Sequence, residues 1–98
     1  MLVQVSQSHI NKGSGGCCKG CPVALAIAEI VKPELHTYVT PEGLLLATFD
    51  KQARMTVHWM KTFPPEVEAF MARFDRMLDV QPFSFEIDIP STHLKEKQ

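Results

Sequence analysis

From Pro22 to Val31 the chain reads Pro-Val-Ala-Leu-Ala-Ile-Ala-Glu-Ile-Val, a stretch in which Glu29 is the only charge. The composition is helix-forming. Pro22 suits a first helical position, where its missing N–H costs nothing, and Pro33 closes the stretch. A helix on the surface of a monomer shows one apolar stripe and one polar face. This one is apolar nearly all round, so both of its sides need cover. Two arrangements meet that demand: the helix lies across a sheet beneath loops, or part of its circumference meets a second subunit.

The rest of the chain supplies the sheet. Leu2, Val3 and Val5 make a short first strand. Residues 36–40 and 44–49 flank Pro41-Glu42-Gly43, which has proline at the second and glycine at the fourth position of a tight turn, the mark of a hairpin. Met55, Val57 and Trp59 alternate with Thr56 and His58, predicting a third strand of the meander with one face in the core. A second helix is predicted after Thr62, placed as its cap, with Pro64 and Pro65 opening it and Val67, Phe70, Met71, Phe74, Met77 and Leu78 at helical spacing. Glu66 and Glu68 near its start and Arg73 and Arg76 near its end suit the helix dipole. Residues 83–89 alternate apolar and polar without a break, and Pro90 stops them; Glu86 and Asp88 read as the wet face of that strand. The expected fold is therefore α+β, an antiparallel sheet of about five strands with two helices, in the order β-α-β-β-β-α-β. A chain of 98 residues fits one domain, expected over 1–90, with 91–98 as a flexible tail.

Charge narrows the function classes. Ten basic and eleven acidic residues are scattered along the chain with no basic run. Nucleic-acid binding needs a positive stripe to neutralise phosphates, so that partner is not expected. The first residues lack the pattern of a signal peptide, and no apolar run reaches the length of a membrane span. A cytoplasmic protein is expected, with no membrane contact. Its three cysteines, Cys17, Cys18 and Cys21, are too clustered and too odd in number for a disulfide framework, and reduced thiols are the default reading.

Four readings compete for the loop that holds them. Cys18 and Cys21 have the spacing of two thiolate ligands to zinc, and Cys17 or His9 could supply a third, but no second ligand pair exists. A thiol at a helix start beside Lys19 would have its anion stabilised, as in a thiol oxidoreductase using Cys18 and Cys21, although no βαβ unit precedes it. Gly13, Gly15, Gly16 and Gly20 could turn backbone N–H groups inward as an anion nest, with Lys12, Lys19 and Ser14 beside them, though the order matches no phosphate-binding fingerprint. The fourth reading is a plain connection with the cysteines packed as small apolar groups. His9, His36 and His58 have no nucleophile or orienting acid set beside them by sequence. No cofactor is called for.

Residues 9–13, His-Ile-Asn-Lys-Gly, followed by Cys21-Pro22-Val23-Ala24-Leu25-Ala26, with Phe74-Asp75 and Pro82-Phe83-Ser84-Phe85, resemble a group of small uncharacterised α+β proteins encoded by bacteriophages and bacteria. The resemblance spans most of the chain. It implies a cysteine before Pro22 and another a few residues upstream, so the Cys17-Cys18 doublet is a departure that leaves the ligand count open. The group carries no settled activity; if the source is a phage, a chain of this size is expected to act as an accessory or anti-defence protein that inhibits a host protein or sequesters a signalling nucleotide. The expectation drawn from sequence is a non-enzymatic binding protein, a homo-oligomer, whose ligand is a host protein or a small anionic, nucleotide-like molecule. In that reading Lys12, Gly13, Ser14, Gly15, Gly16, Lys19 and Gly20 face the ligand. The alternatives are a zinc-stabilised interaction module and the thiol oxidoreductase.

Overall fold

In the computed structural model, which describes residues 1–15 and 19–95, two antiparallel sheets share one hydrophobic cluster with three helices. In chain order the elements are β1 (Leu2–Val5), α1 (Gln7–Lys12), α2 (Pro22–Ala28), β2 (His36–Thr40), β3 (Gly43–Phe49), β4 (Met55–Lys61), α3 (Pro65–Asp75) and β5 (Phe83–Glu86), followed by a 3-10 turn at Ser91–His93. The fold is α+β in the order expected, with α1 added. The strands divide between a β1-β5 pair and a β2-β3-β4 meander. The pair joins the two ends of the chain, Val3 opposite Phe85 and Val5 opposite Phe83, so alternate residues of both strands enter the core.

Cover for the apolar helix comes from within the chain. α2 packs against β1, β2 and α1, and Val23, Ala24, Ala26 and Ile27 are no more than 3% exposed. Its circumference therefore needs no second subunit. α3 closes the core from another side through Val67 and Phe70, and Phe70, Phe74, Phe83, Phe85 and Phe63 form a chain of ring contacts.

The hairpin forms as read from Pro41-Glu42-Gly43, with Thr40 paired to Gly43. Thr40 Oγ1 accepts the Glu42 N–H and donates to the Gly43 carbonyl. Gly43 has φ +146°, and a Cβ there would run into the Lys61 carbonyl oxygen, so glycine is required by backbone geometry and by space alike.

Five local expectations are corrected. α1 occupies part of what reads as an irregular lead into the glycine loop, because Ser6 caps it and His9 completes a capping box. Met55 and Val57 do not share the core face with Trp59: Leu46 pairs with Trp59 but Ala47 with Val57, which leaves His58 as a bulge and turns the strand over. α3 ends at Asp75, with Met77 at φ +61°; the Met77 N–H reaches Phe74 O and the Leu78 N–H reaches Arg73 O, a Schellman stop that leaves Met77 and Leu78 exposed. Pro64, not Thr62, holds its N-cap position, without a side-chain cap. The expected tail is anchored over its first residues: Leu94 bridges Val31, Lys32 N–H donates to His93 O, and Lys95 N–H donates to Ile30 O. Only residues 96–98 of that tail lie outside the described residues. Among the described residues no helix is long and apolar enough to cross a membrane.

Candidate functional site

A well-formed concavity lies beside the glycine loop. A groove of about 530 Å³ opens between α3, the start of α2 and the β2-β3 turn. Helical spacing sets Phe70, Met71 and Phe74 on its α3 wall, where the Phe70 and Phe74 rings stack with centroids 6.3 Å apart. Val39, Thr40 and Pro41 form the opposite wall, and Cys21 and Pro22 close one end. The two charged groups lining it are both carboxylates, Glu68 and Asp75, and no described lining residue is a cation. Its surface is mainly apolar, the composition of a pocket that accepts a side chain.

Among the described residues the glycine loop meets this groove at Gly15, which lies against the end of α3, where a Cβ would be 3.6 Å from Asp75 Cα. Ser14 N–H donates to Gly20 O at 2.8 Å. Gly13 caps α1 in an extended conformation and Lys12 is exposed on its last turn. Lys19 reaches away to β2, where its Nζ is 3.1 Å from His36 Nδ1 and 5.3 Å from the Tyr38 ring centre. Among the described residues Gly43 is the one glycine at positive φ. Gly16, Cys17 and Cys18 lie outside the described residues.

Cys21 serves α2 as its N-cap. The residue is buried and its Sγ accepts the Ala24 N–H at 3.5 Å. His9, the suggested further zinc ligand, is directed instead at Glu29 beyond the far end of α2. Glu29 lies eight residues beyond Cys21, a rise of about 12 Å along the helix. No group of three or more His, Cys, Asp or Glu side chains converges among the described residues.

One chain of polar contacts has the outward form of a hydrolytic triad. His9 Nε2 lies 2.8 Å from Glu29 Oε1, and its Nδ1 lies 3.0 Å from Ser6 Oγ. The same Nδ1, however, accepts the Ser6 backbone N–H at 2.9 Å, which occupies the single lone pair a base would use. Ser6 Oγ in turn faces the His9 N–H at 3.4 Å. This is a capping box with histidine in the place of glutamate, tied to α2 through Glu29. His58 is likewise hydrogen-bonded, its Nε2 2.7 Å from Thr48 Oγ1. Glu86 is exposed on β5 and Asp88 is exposed beyond it, as the alternation implies.

Compared with family models, curated proteins and solved structures, the chain matches none.

Proposed function

We propose that the chain is a non-enzymatic binding protein that grips a protein partner in the groove between α3 and the β2-β3 turn. The observation that carries this reading is the groove's lining: phenylalanine, methionine and proline walls with carboxylates as the only charges among the described residues. Such a site favours an aromatic or long aliphatic side chain entering between Phe74 and Pro41, with a lysine or arginine beside it to meet Glu68. A nucleotide-like anion would meet the same carboxylates and be repelled, and the lysine best placed to attract one, Lys19, is held at β2. Of the two roles expected of a phage protein of this size, inhibition of a host protein suits this lining better than capture of a nucleotide.

The test is selection from a random peptide library on the immobilised protein, followed by calorimetry on the selected peptides. The expected consensus is an apolar residue flanked by Lys or Arg. Glu68→Lys, an exposed change, should weaken those peptides tenfold or more, about 1.4 kcal/mol. Peptides that bind the variant as tightly as the parent would refute the reading. So would phosphorylated ligands that raise the melting temperature when no peptide does.

A further inference from the structure

The β2-β3-β4 sheet buries one face and leaves large apolar side chains exposed on the other. Core-side residues are Thr37 and Val39 on β2, Leu44 and Leu46 on β3 and Trp59 on β4. Alternation and register place Tyr38, Leu45, Ala47 and Phe49 on the opposite face, and the bulge at His58 adds Met55, Val57 and Met60 to it. An antiparallel sheet with one face in water normally alternates to polar residues on that side. Here Phe49 is 41% exposed, Met55 50%, Val57 42% and Met60 67%.

We propose that this outer face packs against the same face of a second copy of the chain, joining two meanders into a sandwich. Area is the first argument. At about 200 Å² for a full side chain, these four residues leave on the order of 400 Å² in water. Two copies therefore cover roughly 800 Å² of apolar surface, and the half-buried Tyr38 and Leu45 with the rim extend it toward the 1,200 Å² or more of a stable interface. Charge is the second argument. Of the strand residues on the outer face none is Lys, Arg, Asp or Glu, and Lys19 reaches the face on its β2 side, over Tyr38, so a strongly acidic or basic partner would find little along β3 and β4 to pair with. Shape is the third, because two copies carry the same twist, as aligned face-to-face packing requires. Edge-to-edge pairing through β4 is disfavoured by the bulge at His58, which interrupts the free edge.

Sedimentation equilibrium on the full chain tests this at micromolar concentration. The expected mass is twice the 11.0 kDa of one chain. Val57→Lys and Met60→Lys, both at exposed positions, should each weaken the dimer tenfold or more while the circular dichroism stays that of the parent. Leu2→Lys, an equally exposed apolar position on the other sheet, should leave the dimer intact. A parent chain that sediments as a monomer overturns the proposal, whatever else the face then binds. A dimer that survives both lysine substitutions, or one whose β4 edge amides become protected from hydrogen exchange on association, also overturns it.

Discussion

Replacing Gly43 by alanine should be among the most damaging single-methyl additions to this chain. Gly43 opens β3 at φ +146°, a conformation close to forbidden for an L side chain. Holding a non-glycine residue there costs about 1–3 kcal/mol. The added Cβ would also collide with the Lys61 carbonyl oxygen and lie 3.0 Å from both the carbonyl carbon and Thr62 Cα. These are backbone atoms at the end of β4 and cannot swing aside as a side chain would, so overpacking adds about 1–3 kcal/mol. The total, about 2–6 kcal/mol, is a large part of the 5–15 kcal/mol that holds a small domain folded. For a chain of this size it lowers the melting temperature by on the order of 10–50 °C. Gly13→Ala is the control. Gly13 has an ordinary φ of −74°, and its Cβ would meet Pro22 Cδ at 2.6 Å and Pro22 N at 2.9 Å. It carries crowding against buried Pro22 at the start of α2, without backbone strain, and should cost about 1–3 kcal/mol. Thermal and urea melts of both variants decide the matter. If Gly43→Ala loses less than Gly13→Ala, the assignment of glycine to this turn by strain and close approach is wrong.

Three further outcomes are expected. Met77→Gly should stabilise by about 0.5–1 kcal/mol, because Met77 occupies the left-handed C′ position of α3 at φ +61° and is 93% exposed, so it gives up strain and no burial; an unchanged or lower urea midpoint would refute this. Thr37→Val should stabilise by about 1 kcal/mol, since Thr37 Oγ1 is buried without a hydrogen-bond partner among the described residues, and a loss on denaturant unfolding would show the hydroxyl to be paired. His9→Ala should cost about 2–3 kcal/mol by removing a helix cap and opening a gap under α1. Glu29→Gln, at a side chain 66% exposed, should change stability by no more than about 0.5 kcal/mol; equal losses in the two variants, measured by urea melts, would contradict the capping-box account.

The elements legible in the sequence were those whose signals are local and uninterrupted. Pro41-Glu42-Gly43 named its hairpin, Pro22 its helix start, and the alternation at 83–89 its strand, because turn chemistry and period act over a few residues. α1 escaped because six residues are too few for a helical period; its only sign was a capping pattern in which histidine replaces the usual Glu or Gln. The faces of β4 were misread because alternation assumes an unbroken ladder, and the bulge at His58 reverses it between Val57 and Trp59. Met77 and Leu78 kept helical spacing past the true end of α3, since a left-handed methionine gives no warning of the kind a glycine would. The groove could not be read locally at all. Its walls come from residues 21–22, 39–41 and 68–75, three segments that only the tertiary packing brings together, whereas the glycine loop that stands out in the sequence touches it through Gly15 alone among the described residues.

Two amide-resolved NMR titrations of the ¹⁵N-labelled chain, one with a selected apolar-basic peptide and one with inorganic phosphate, test the binding site most directly. The account predicts that the peptide shifts resonances at Val39, Thr40 and along α3 from Glu68 to Asp75, and that phosphate leaves Gly13 to Gly20 unmoved. Shifts at Ser14, Gly15, Lys19 and Gly20 on adding phosphate, with the α3 resonances still, would place the ligand site in the glycine loop and contradict it.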